Sequence, residues 1–298
     1  MSDRSNFYLA GYVYFRICME KIMNPHMGHS TSPIALGQSL LTNRQLILQM
    51  VKREVTGRYR GSFLGIFWSF FNPLFMLAVY TFVFSVVFKA KWGTTGSDSK
   101  LEFAVLLFVG MIVHALCAEV LNRAPGIIQG NVNFVKKVVF PLEILVPVSL
   151  GSALFHAVVS LVVLLSVFFI FNGFICPTVI FLPVVWLPLV IATIGFSWAL
   201  ASLGVFLRDI GQVMGIVTTM MMFLAPVFYP LSAIPKKYQI FIMANPLTFI
   251  IVQSRNVLIW NKMPDWYGLS IYTVISLVIL WLGYWWFQKT RKGFADVL

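Results

Sequence analysis

The sequence predicts an all-α membrane protein: six transmembrane helices, an N-terminal amphipathic interface helix ahead of them, and a re-entrant hairpin between helices five and six. Three observations predict it. Of 298 residues, 59% are hydrophobic and 11% are charged, and mean hydropathy is +0.86. A soluble domain carries about 25% charged residues, so this chain lacks the ionic groups that would solvate a globule of its size. Six segments are apolar over the ~20 residues that a helix needs to cross the hydrocarbon. Ahead of the first, apolar residues recur at helical spacing with polar residues between them.

Residues 1–33 read as an N-terminal tail with no role assigned to it. Residues 34–60 are the interface segment. From Ile34 to Thr56, the residues Leu36, Leu40, Leu41, Ile47, Leu48, Val51 and Val55 step by threes and fours. One stripe therefore meets lipid while Lys and Arg stay wet, and Gly57 offers a break before the chain enters the bilayer. Residues 61–298 hold the six spans, near 63–88, 103–122, 144–171, 178–206, 213–230 and 267–288. Pro183 and Pro188 remove backbone donors from the fourth and predict a kink there. An even number of spans puts both termini on one side. Fifteen Lys and Arg fall on that side against seven on the other, which makes it cytoplasmic. Between spans five and six, "YQIFIM" and "LTFIIVQSRNVLIW" are each too short to cross. Residues 231–262 either dip back as a hairpin or lie flat in the interface.

Four constellations could carry function. Lys52, Arg53, Arg58 and Arg60 crowd the mouth of span one. They anchor the chain as cytoplasmic cations commonly do, or their forks capture a phosphate-bearing lipid. Phe67, Phe71 and Phe75 step by four with Trp68 beside them. This aromatic face packs against lipid or the bundle, or it lines a path on which sugar rings rest their C–H faces. Met214, Met221, Phe228 and Tyr229 of span five extend that lining, methionine being able to repack around varied cargo. In the loop from Arg123 to Leu145, Asn131 or Asn133 caps a short helix that Pro141 ends. Phe134 and Val135 beside Lys136 and Lys137 form an exposed docking knob there, or the loop simply connects two spans. Polar groups within spans are the fourth set: His114, Glu119 and His156. Glu119, four residues before Arg123, pairs with it; Arg208 and Asp209 form a surface pair at a tight turn.

Other classes are disfavoured. The formal charge of +12 sits beside apolar segments, which suits anionic headgroups more than nucleic acid. Cys18, Cys117 and Cys176 are far apart, so neither a disulfide framework nor a metal site is supported. A membrane-embedded transferase would need paired carboxylates, and Asp98 with Glu102 is the only outer acidic pair. No GxxxxGK[ST] stretch cradles a nucleotide. The chain is therefore no ATPase, and ATP with its Mg²⁺ would be bound by another polypeptide.

Longer stretches carry a resemblance. "LLTNRQLILQMVKREVTGRYRGSFLGIFWSFFNPLF", "EVLNRAPGIIQGNVNFVKKVVFPLEILV", "FLRDIGQV", "FLAPVFYPLSAIP" and "NPLTFII" resemble the transmembrane permease subunits of polysaccharide ABC exporters, the ABC-2 type that exports O-antigen, capsular polysaccharide or teichoic acid. The resemblance runs from about residue 34 to the end. It implies a bacterial inner-membrane homodimer joined by two ATP-binding cassette subunits, with a pore between the two permeases for a polyprenyl-pyrophosphate-linked glycan. It further implies that loop 125–143 and the Arg208–Asp209 turn, with Asn133, Phe134, Lys136 and Lys137, couple to the ATPase. Residues 231–262 would be the periplasmic gate. Export of a small lipid or drug, or a scaffold without cargo, would fit the composition as well.

Overall fold

In the computed structural model the chain is helical, and the structure describes residues 31–87, 100–136 and 140–298; among these no strand occurs. Residues 1–30 with Cys18, Phe88, Asp98, the Glu102 side chain and Lys137 lie outside the described set. The interface segment is two helices, α1 (Pro33–Thr42) and α2 (Arg44–Arg58), where one was expected. Asn43 divides them because its side-chain amide turns back to the Ser39 carbonyl at 2.8 Å, a local bond that competes with helix continuation. The turn into the membrane follows α2 at Gly61, with φ +83°, and not at Gly57, which stays helical.

The remaining elements follow in order. They are α3 (Trp68–Tyr80), led in by a 3-10 turn and continued by π turns over Thr81–Val87, then α4 (Lys100–Arg123), the short α5 (Val132–Lys136), α6 (Leu145–Asn172) and α7 (Leu182–Phe206). After these come α8 (Ile210–Phe223), α9 (Lys236–Met243), α10 (Pro246–Leu258), α11 (Trp266–Thr290) and α12 (Phe294–Val297). Five are long and apolar enough to cross a membrane once their end turns are counted: α3, α4, α6, α7 and α11. The sixth expected span, 213–230, is represented by α8, whose 14 residues reach only about 21 Å. Its C-terminal end precedes Pro226 and Pro230, and a residue before proline is pushed out of the helical region. Pro183 falls in the first turn of α7, where no backbone donor is lost; Pro188 lies inside that helix.

Helix α4 is the axis. Of its best apolar window 78% is buried, against 17% for α3 and for α11, and a helix apolar all round belongs inside. Its residues Leu106, Leu107 and Val113 have no exposure, and α7 and α10 close over it with Val185, Ile250 and Ile251. A second cluster gathers Met50, Ile144, Trp198, Tyr284, Phe287 and Phe294, so α2, α12 and the ends of α7 and α11 share one core. Backbones come close where glycines permit. Val51 of α2 seats over Gly151 of α6, and Gly195 of α7 meets Gly283 of α11.

Candidate functional site

The expected cation cluster is divided by the fold. Lys52, Arg53 and Arg60 are exposed and make no ion pair among the described residues. Arg58 is engaged. Its Nη2 donates to Glu119 Oε1 at 2.6 Å and its Nη1 lies 3.0 Å from His156 Nδ1. His156 Nδ1 is also 3.2 Å from Glu119 Oε2. A guanidinium only donates and a carboxylate only accepts, so that ring nitrogen serves one neighbour at a time. Glu119 thus pairs across the fold with α2 and α6, and it also makes the expected i,i+4 ion pair with Arg123, at 3.8 Å. Arg123 pairs more closely with Glu54 of α2. The reason is reach. Helix α2 lies along the bundle end and delivers Arg58 and Glu54 directly to α4.

The aromatic stripe forms a ladder on the protomer surface. Phe67, Trp68, Phe71 and Phe75 are 64%, 42%, 38% and 58% exposed, so packing within the protomer does not explain them. Trp68 meets Phe71 edge-on at 6.4 Å, and Phe71 stacks on Phe75 at 6.1 Å. At the other end of this wall, Phe84 stacks on Phe228 and Phe228 on Phe223, at 5.7 and 5.6 Å. The structure thereby brings one predicted lining residue beyond α8 against the continuation of α3. Tyr229 donates its hydroxyl to the Phe223 carbonyl at 2.6 Å. Met221 is half-buried. Met214 sits in the core at 8% exposure and does not reach the exposed face.

The loop helix α5 keeps Asn133 and Lys136 exposed. Phe134, expected as an exposed knob, stacks on Phe140 at 4.3 Å, and both it and Val135 are half-buried against the second core. Burying the ring is worth more than offering it to water. Arg208 and Asp209 are exposed in the turn before α8, and their expected pairing is not among the ion pairs of the described residues. His114 is hydrogen-bonded within the bundle: its Nε2 donates to the Thr218 carbonyl of α8 at 3.0 Å.

Two features were missed from sequence. Arg255 is 2% exposed and donates to the carbonyls of Leu106, Pro226 and Val227 at 2.9, 2.6 and 3.0 Å. It thereby joins α10 to α4 and to the non-helical stretch after α8. The signal was present in "IIVQSRNVLIW", an arginine inside an apolar run. Glu143 accepts from Arg291 at 2.7 Å and from Ser39 at 2.8 Å, tying α1 and the chain end to the start of α6. Asn245 is the joint between α9 and α10. It caps α10 by accepting from Leu247 and donates to the Met221 carbonyl at 2.8 Å. Among the described residues no cluster of His, Cys, Asp or Glu could hold a metal ion.

Comparison with known proteins places this architecture. The chain is similar to the O-antigen export system permease protein RfbA of Myxococcus xanthus, 28% identical over 265 residues, covering 88% of this chain and 99% of that protein. It is similar to the polysialic acid transport protein KpsM of Escherichia coli, 24% identical over 232 residues, covering 78% and 88%. A third relative is the capsule polysaccharide export inner-membrane protein CtrC of Neisseria meningitidis serogroup B, 24% identical over 268 residues, covering 89% and 97%. The profile of the ABC-2 type transporter family matches residues 45–259. Matched from α2 to the end of α10, this chain belongs to the ABC-2 type transporter family.

Proposed function

We propose that this chain is the permease subunit of an ATP-driven exporter that carries a polyprenyl-pyrophosphate-linked polysaccharide, O-antigen in the first instance, out of the cytoplasm. The observation that carries the reading is the similarity to an O-antigen export permease over 99% of that protein's length. Two copies would enclose the passage. The exposed ladder of Phe67, Trp68, Phe71 and Phe75 supplies the kind of surface on which sugar rings slide. Lys52, Arg53 and Arg60 are the cations left to meet a phosphate-bearing lipid, since Arg58 is committed to Glu119. Both termini face the cytoplasm in this reading, following the Lys/Arg excess on that side. Two ATP-binding cassette subunits would dock there on loop 125–143 and the Arg208–Asp209 turn. The segment 231–262 is the outer gate, with Arg255 as its tether. Capsular polysaccharide is the second cargo reading, favoured by the similarity to KpsM and CtrC.

The test is deletion of the gene in the organism that carries it, followed by add-back. Surface O-antigen should vanish, lipid-linked glycan should build up inside, and the intact chain should restore export. Loss of capsule with O-antigen retained moves the cargo to the second reading. Wild-type amounts of both surface glycans in the deletion strain overturn the proposal.

A further inference from the structure

Beyond the cation cluster of α2, a second cationic recess exists. Between the end of α4, the turns over residues 124–131 and the start of α8 lies a cleft of about 450 Å³. Arg123, Arg208, Asn122, Gln129 and Asn131 line it, with Gly211 of the first turn of α8. No carboxylate is among its described lining residues. Asn122 accepts from the Thr218 hydroxyl at 3.1 Å, so its amide N–H groups are left to the cleft side. Gln129 and Asn131 each spend one N–H on a backbone carbonyl, Gly204 and Ile127, and an amide has two. Arg123 spends Nη2 on Glu54, and its buried Nη1, without a hydrogen-bond partner, lies 3.8 Å from Glu119 Oε1. Arg208 is in no ion pair among the described residues. The first turn of α8 adds backbone N–H groups and the positive end of a helix.

A smaller hollow of about 170 Å³ adjoins it, sharing Arg123, Ile127 and Asn131. That hollow adds Arg53, Glu54 (paired with Arg123) and the apolar side chains of Met50, Leu145 and Val148. A donor-rich chamber opening beside one with an apolar wall of Met50, Leu145 and Val148 fits an amphiphile with an anionic head.

We propose that the Arg123–Arg208 cleft binds a phosphate or diphosphate group. Guanidinium forks, amide N–H groups and a helix start are the donors that such oxygens take. The group is either the head of a lipid, its first carbons lying along Met50, Leu145 and Val148, or a free anion from the aqueous side. The proposal deepens the export reading and rests on it only in supplying a reason for a lipid diphosphate to be near.

The test uses the purified full chain in detergent, without ATPase or glycan, and three probes: farnesyl diphosphate, inorganic pyrophosphate and farnesol. Arg208→Gln should weaken farnesyl diphosphate binding at least about tenfold, the worth of one charged hydrogen bond. Lys292→Gln, on an exposed side chain outside the cleft and outside the α2 cation cluster, should leave it unchanged. Asn122→Asp, which puts a carboxylate in the cleft, should weaken it too and serves if the first variant does not fold. Farnesyl diphosphate binding tighter than pyrophosphate assigns a lipid head, and equal binding assigns a free anion. Wild-type affinity in Arg208→Gln and Asn122→Asp, equal loss in Lys292→Gln, or farnesol binding as tightly as the diphosphate overturns the site. Since no cargo is present, that failure is separate from failure of the deletion experiment.

Discussion

The meeting of α7 and α11 at Gly195 and Gly283 gives a prediction whose magnitude follows from the structure. A Cβ built on Gly195 would lie 2.6 Å from the Ile279 carbonyl oxygen and 2.7 Å from Leu280 Cα. On Gly283 it would run into the Gly195 carbonyl. Non-bonded carbons settle at about 3.5–4.0 Å, so alanine at Gly195 must open the helix pair by about 0.8 Å, and alanine at Gly283, whose Cβ falls nearer still to backbone, by more. The obstacles are backbone atoms, which cannot rotate away. A radial gap of that size forfeits roughly a quarter to a half of each dispersion contact along the seam, and no hydrophobic gain compensates within lipid. Gly283→Ala should therefore cost about 1–3 kcal/mol, the usual range for overpacking. Gly37→Ala is the opposite case. Its Cβ meets nothing within 4 Å and it sits inside α1, so alanine should add up to about 1 kcal/mol of helix propensity. The assay is thermal unfolding of the detergent-solubilised chain followed by size-exclusion fluorescence, both variants beside the wild type. A Gly283→Ala midpoint equal to wild type, or an equal fall in Gly37→Ala, would refute the close-packing account.

Three further outcomes follow. Arg255→Met removes the donors to three carbonyls and should lower stability by about 3–5 kcal/mol, the scale of breaking a buried charged network; Arg255→Lys, with one compact ammonium in place of the fork, should fall between them in the same thermal assay. Glu119→Gln leaves Arg58 without its counter-charge and His156 without its carboxylate neighbour and should cost about 1–2 kcal/mol, read as a lower midpoint, while Lys52→Gln, on an exposed side chain, should shift it by no more than about 0.5 kcal/mol. Trp68→Ala and Phe75→Ala should leave the midpoint near wild type, because both rings are exposed on the protomer, yet reduce surface glycan several-fold in the add-back strain; glycan at wild-type level would return these rings to a packing role.

Much of the fold was legible in local pattern. Apolar length marked α3, α4, α6, α7 and α11 because a bilayer rewards about 20 consecutive apolar residues regardless of what lies beside them. The spacing of Leu36, Val51 and Val55 marked α1 and α2 as helices because period alone sets one face of a helix, but that face meets protein where lipid was expected: Leu36 and Val55 are buried and Val51 packs on Gly151. Boundaries were less legible where side chains intervene. Asn43 divides the interface segment through its own hydrogen bond, and α8 stops at Phe223 although the apolar run continues to Phe228. The candidate site was legible as residue types and not as roles. Four neighbouring cations looked equivalent in the sequence, yet Arg58 alone reaches Glu119.

By itself, then, the sequence determined that this chain lives in a bilayer, where its long helices lie, and which segments carry cations and aromatic rings. Those properties are sums over neighbours in the chain, and lipid responds to the sums. Only the tertiary structure decided that α4 is the buried axis, that Arg58 is neutralised, that Phe134 is tucked against Phe140, and that Arg255 ties three backbone carbonyls together. Each of those outcomes is a contact between groups on different elements, such as Arg255 and Leu106, 149 residues apart. Electrostatics and packing act across a few ångströms of space, a distance that no reading along the chain can measure.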